Sequence, residues 1–297
     1  MLWLIIIIAA YFLFALASLA DRYLLIGPPN PRIYAFYVGI LNILVLIFIP
    51  FVDFYLPGNL FIGLSFLYGL IFILSLLAIY EGLEKFEASR FIPALGAFLP
   101  IFTFLLTLFI LSQKEFFTYQ KILSFSFLVL GGFLISWEKS FKISLKSLLF
   151  AVLAAFFLSL SFVLLKIIYN DLGFWNGFVW TRLGVFFCAL FLLFFKKVRT
   201  ELFQKKKSFT KKTTLIFIST QIIGALGVIF QNWSIFLAGV VYLPFISALQ
   251  SIQYLFLFVF SLLFYKVLKE RIFKKIIFQK IFAIILITLG LVFLALE

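Results

Sequence analysis

The sequence predicts an all-α polytopic membrane protein: ten transmembrane helices built as two inverted five-helix repeats. Three observations carry this expectation. Of the 297 residues, 65% are hydrophobic and 12% charged, against about 45–50% and about 25% in a soluble domain. The apolar residues fall into ten runs of helix-spanning length. The punctuation of the first five runs recurs in the last five.

In order, the runs are Leu2 to Ala20, Ile33 to Phe51, Leu60 to Tyr80, Phe91 to Leu111, Gln120 to Trp137, Leu145 to Leu165, Phe174 to Phe195, Leu215 to Leu237, Val241 to Tyr265 and Ile276 to Leu296. Each is about 18–25 residues, the length at which a helix crosses the hydrocarbon core with every backbone group satisfied internally. The first run ends in small residues, Ala15-Leu16-Ala17 up to Ala20, as a signal-peptidase site does. Met1-Leu2-Trp3 supplies no basic leader, so the run reads as a span. Between runs eight and nine the break rests on Ala238-Gly239, with Pro244 opening the ninth helix.

The repeat divides the chain into residues 1–138 and 139–297. Pro93 and Pro244 each stand a few residues into a helix, Lys114-Glu115 and Lys269-Glu270 follow that helix, and Gly131-Gly132 and Gly290 fall in the next one. Arg22 and Lys166 close the first helix of each half. Five spans per half is an odd number, so the second half enters the membrane from the opposite side, as in many secondary transporters.

The net charge of +14 suggests no nucleic acid, because the cations sit between apolar runs, where they orient the chain against anionic lipid. Counted by loop, 21 Lys and Arg lie on one side, 3 on the other, and Arg182 lies inside run seven. Both termini are therefore expected outside the cytoplasm. Clusters Lys205-Lys206-Lys207 and Lys211-Lys212 read as topology determinants. Cys188 is alone and reads as packing, and there is no histidine, which excludes Ser-His triads, the H-E-x-x-H zinc site and a histidine proton relay. No cofactor is expected.

Asp21-Arg22-Tyr23-Leu24-Leu25, Ser89-Arg90-Phe91-Ile92-Pro93, Pro100, Glu115 with Gln120 and Gly131-Gly132 resemble the EamA-like family of the drug/metabolite transporter superfamily. Lys166, Arg182, Glu270 and Gly290 carry the same frame in the second half. The resemblance implies a ten-helix carrier moving small metabolites such as amino acids through a central cavity. Three points depart from it. Gln250-Ser251 stand where helix nine would repeat Pro100, no arginine in helix two matches Arg182, and the charge count opposes the family's cytoplasmic termini.

Polar groups are costly in hydrocarbon and mark cavities or interhelical contacts. Ser247, Gln250 and Tyr254 share one face of helix nine by their i, i+3, i+7 spacing and are the first candidates for a substrate-binding wall, with interhelical bonding as the competing reading. Gln221 is the deeper candidate in helix eight, and Gln231-Asn232-Trp233 reads as an interfacial anchor. Gly224 and Gly227 read as close-packing positions. Arg182 can hold a carboxylate in two parallel bonds, or snorkel, or pair with Asp171. Asn42, Ser65, Tyr68 and Tyr80 are the comparable positions of the first half, and Asn42 joins the candidate substrate-binding set. Acids are sparse and nearly all lie in loops, which disfavours proton-coupled drug efflux through a glutamate in helix one; Glu81, at the end of helix three, is the nearest to a proton carrier. The expected function is a secondary transporter, not an enzyme, with a small-molecule substrate and membrane lipids as partners. A lipid-handling scaffold or scramblase is the alternative.

Overall fold

A computed structural model describes residues 1–24, 31–86, 88–112, 118–137, 145–203, 211–263 and 274–296. Among them are helices and their connections and no strand. Helix α1 is Leu2–Leu24, α2 Pro31–Leu41, α3 Asn59–Lys85, α4 Ala88–Leu111, α5 Tyr119–Ser136 and α6 Leu145–Leu190. Then follow α7 Lys196–Phe203, α8 Lys211–Leu237, α9 Leu243–Ala248, α10 Gln250–Leu263 and α11 Lys274–Ala295. Seven helices among the described residues are long and apolar enough to cross a membrane, and Leu2–Ser18 and Ala35–Phe51 are shorter apolar helices. Large apolar side chains such as Phe109, Phe194 and Phe278 point outward, each more than three-quarters exposed. A surface of that kind is compatible with a multi-pass membrane protein and is rare on a soluble one.

Three of the expected spans are modified. The second is α-helical only to Leu41 and continues as a 3-10 helix, Asn42–Phe51. Such long 3-10 stretches are uncommon, and the change falls where the Asn42 amide donates back to the Val38 and Gly39 carbonyls. The sixth and seventh runs follow one another without a loop as α6, broken at Gly173 (φ 70, ψ 179), a backbone conformation open to glycine and strained for other residues. The chain turns back there: Gly177 packs on Tyr169 and Ile168, so the two limbs meet beside the break. The ninth run is split at Leu249 into α9 and α10, after a 3-10 turn, Val240–Tyr242.

Lys166 corrects the loop count. It was expected to close a helix, but α6 runs on past it, and its ammonium is buried and donates to the Phe236 carbonyl at 2.9 Å. That carbonyl belongs to the last turn of α8, where intrahelical donors have run out and the dipole favours a cation. Lys121, also counted with a loop, lies inside α5.

Residues from early and late in the chain interleave. Helix α1 packs on α8, where Gly227 admits Phe14 and the Ser234 hydroxyl donates to the Trp3 carbonyl at 2.9 Å. Gly224, expected to do the same, meets just the Ala17 methyl at ordinary contact distance. Helix α3 crosses the second limb of α6 backbone to backbone, with Gly69 against the Gly184 carbonyl and Gly184 against the Ser65 carbonyl. Helix α4 meets the first limb through Thr103 and Ser159, whose hydroxyls both donate to the Leu99 carbonyl. Helices α5 and α11 meet reciprocally: Gly131 receives Ile287, and Gly290 receives Leu128.

Candidate functional site

The broken α6 hairpin sets Tyr169 on its first limb opposite Arg182 on its second. The Arg182 side chain is buried, 6% exposed. Its Nη2 donates to Asn232 Oδ1 of α8 at 2.9 Å and its Nη1 to Asn42 Oδ1 at 3.4 Å. Both amides are held for this. Asn232 Nδ2 is committed to the Val228 carbonyl at 2.7 Å and Asn42 Nδ2 to the Val38 carbonyl at 2.8 Å, so each turns its oxygen to the guanidinium. The Tyr169 hydroxyl donates to the same Asn232 oxygen at 2.7 Å, and the Tyr68 hydroxyl faces the guanidinium from α3. The Phe178 ring lies 5.1 Å from the guanidinium carbon, within cation–π range.

No carboxylate among the described residues compensates this charge. Among the described residues Arg182 makes no salt bridge, and its buried Nε has no hydrogen-bond partner. Asp171 is exposed, so neither pairing nor snorkelling describes Arg182 as the structure has it.

A second polar group lies on the next face of α8. The Tyr11 hydroxyl of α1 donates to the Ile246 carbonyl at 2.7 Å, the Gln231 amide bonds the same hydroxyl, and Tyr254 of α10 stands beside it, over Gly96 of α4. Gln253 reaches Ser18 of α1 at 3.4 Å. Gln231 and Asn232 are consecutive, so α8 carries both groups.

The expected site residues are therefore divided. Arg182 and Asn42 come together, and Tyr254 belongs to the second group. The Ser247 hydroxyl is buried and donates to its own helix at the Pro244 carbonyl, 2.8 Å. The helix tightens at Leu249, between Ser247 and Gln250, and runs on, with the Leu249 N–H donating to the Phe245 carbonyl at 2.8 Å. Gln250 is half-buried at the start of α10, its amide without a protein partner among the described residues. Gln221 lies eleven residues before Asn232, roughly 16 Å along the helix, away from the guanidinium. Asn232 corrects the anchor reading: it is 2% exposed and central to the arginine's bonding. Tyr169 went unnoticed in the sequence, because run six was ended at Leu165.

No protein-family model matches the chain, and no curated protein does. Matching solved chains number 22, among them one described as "Crystal structure of protein", with a TM-score of 0.69 at 13% identity. It covers 98% of this chain and 96% of its own. The likeness is to an entire fold, end to end. The class this defines is an all-helical bundle with apolar helices of membrane-crossing length and a buried, cation-centred polar core.

Proposed function

We propose that the chain is a secondary transporter that moves a small polar metabolite, amino-acid-like or related, across the cytoplasmic membrane by alternating access between two five-helix halves. The observation that carries this reading is the position of the Arg182 group. Asn42 and Tyr68 come from residues 1–138, and Tyr169, Arg182 and Asn232 from residues 139–297. A carrier with two repeats holds its substrate where the repeats meet.

The ten-span inverted repeat is part of the same proposal. Counting the two limbs of α6 separately and adding the two shorter apolar helices to the remaining long ones accounts for ten crossings. The α5–α11 contact fits a two-fold relation between halves. Leu128 and Ile287 stand as far apart in sequence as Gly131 and Gly290, and each glycine receives the other helix's aliphatic side chain. An isologous interface has that exchange pattern. The resemblance to the EamA-like family supports the reading from the sequence side.

The scramblase alternative would set the polar residues on a lateral groove open to lipid. Burial of Arg182 and Asn232 argues against it, while half-buried Gln221 and Gln250 are neutral. Purified protein in proteoliposomes, screened by counterflow against a metabolite panel, should exchange at least one small solute and leave fluorescent lipid unflipped. Lipid flipping with no solute exchange would reverse the choice. In the same assay Gln250→Ala should lower transport about tenfold, ~1.4 kcal/mol, with folded yield unchanged, because that amide bonds no neighbour among the described residues.

Orientation is tested separately. The cation excess places both termini outside; a C-terminal reporter active in the cytoplasm alone should stay silent, and a periplasmic or external one should work. The opposite pair of signals would turn the molecule over.

A further inference from the structure

We propose that the Arg182 group is a built anion site and that the substrate is a net-negative carboxylate rather than a zwitterionic amino acid; this rests on the transporter reading and narrows it. The argument starts from charge. A buried guanidinium loses much of its hydration, and neutral acceptors recover just part of that loss. Evolved structural arginines in low-dielectric surroundings are paired with acids. Here the two acceptors are amide oxygens, one of them shared with the Tyr169 hydroxyl and the other at 3.4 Å, and Nε is left without a partner. Every partner that its terminal nitrogens have among the described residues is neutral.

The neighbours complete a donor-rich wall. The Tyr68 hydroxyl faces the guanidinium, and the Phe178 ring covers it. Both asparagine side chains spend their N–H groups on their own helices, so they hold the arginine without offering it charge. A carboxylate on the Nε edge would receive parallel bonds from Nε and one terminal nitrogen, the geometry that suits a guanidinium best. It would supply the missing charge.

The same inventory speaks against an ammonium. The described acidic side chains Asp53, Glu84 and Asp171 are exposed, and Glu81 is engaged by Arg32 and Lys85 at the end of α3. Lys166 adds a second buried cation on α6 and no anion. An α-ammonium beside Arg182 would meet positive potential with no carboxylate among the described residues to hold it. The neutral hydroxyl and amide group around Tyr11, Gln231 and Tyr254 suits the uncharged body of the substrate.

The test uses full-length protein in nanodiscs and thermal shift. The probes are two- to six-carbon mono- and dicarboxylates, each run beside its neutral amide and its α-amino acid, with inorganic phosphate as a separate arm. Carboxylates should stabilise the protein at concentrations at least tenfold below those needed for the matched amides and amino acids. Asn232→Asp provides the decisive variant, since it places a carboxylate within 3 Å of Arg182 without changing side-chain size. It should abolish the carboxylate response at a melting temperature close to the parent's, because the pair it makes with Arg182 is offset by the bond to the Val228 carbonyl that it gives up. Equal response to amides or amino acids, response to phosphate alone, or an undiminished carboxylate response in Asn232→Asp would overturn the proposal. Carboxylate binding without flux in proteoliposomes would remove the transporter reading and leave the anion site standing; flux of amino acids with no carboxylate response would do the reverse.

Discussion

Arg182→Ala should lower transport by about a hundredfold while folded yield stays within a factor of two. Hydrogen bonds to a charged group contribute about 1.5–3 kcal/mol, and the upper part of that range corresponds to two decades in rate or affinity. Stability should respond weakly because opposite effects meet at this residue. Truncation frees the Asn42 and Asn232 oxygens and vacates space over Phe178, which destabilises. It also removes a buried cation with no counter-charge among the described residues, which stabilises. The Asn232 oxygen keeps its bond from Tyr169. Size-exclusion yield and melting temperature measured beside counterflow separate the outcomes. A variant that folds poorly but transports normally per folded molecule would make Arg182 a structural residue. Arg182→Lys should recover part of the loss, since it restores the charge but not the planar fork.

What the sequence disclosed and what it hid follow from one physical distinction. Apolar runs of about 18–25 residues have the length of a membrane-crossing helix, and the described parts of the runs are helical, although the sixth continues to Leu172 and the ninth is divided at Leu249. Local backbone exceptions need their own signals. Gly173 is such a signal, but run six ends at Leu165 by hydropathy, so Tyr169 falls outside the apolar pattern. The structure spends that polarity on one bond to Asn232 and leaves Asn170 and Asp171 exposed. Helical periodicity places Ser247, Gln250 and Tyr254 on one face, but periodicity does not say where a hydroxyl turns, and Ser247 donates to the Pro244 carbonyl of its own helix. Arg182 was legible because a cation inside an apolar run has few inexpensive explanations. Its partners were not, since contacts such as Arg182 with Asn42 or Asn232 join distant segments and no local pattern records them.

Gly184→Ala should collapse the folded yield, where Gly224→Ala on α8 should be neutral or slightly stabilising. Helix propensity favours alanine over glycine at both positions by about 1 kcal/mol, so any difference between the two must come from packing. At Gly224 an added methyl meets the Ala17 methyl at 4.0 Å, an ordinary contact. At Gly184 it would run into the Ser65 carbonyl, and the reciprocal position, Gly69, already sits on the Gly184 carbonyl. A flexible side chain can swing away from such an intruder, but a backbone carbonyl inside a helix moves only if the helix moves. Overpacking of this kind costs about 1–3 kcal/mol, occasionally more, and here two rigid helices must separate along a seam of small residues, the packing on which helix association in lipid depends. The penalty therefore exceeds the propensity gain. Gly184 is also two residues from Arg182, so separating α3 from the second limb of α6 shifts the guanidinium relative to Asn232 and Tyr68. Any Gly184→Ala protein that does fold should for that reason transport poorly, whereas Gly224→Ala should match the parent in counterflow rate per molecule. Normal yield and normal counterflow in Gly184→Ala would show that α3 and α6 do not approach this closely.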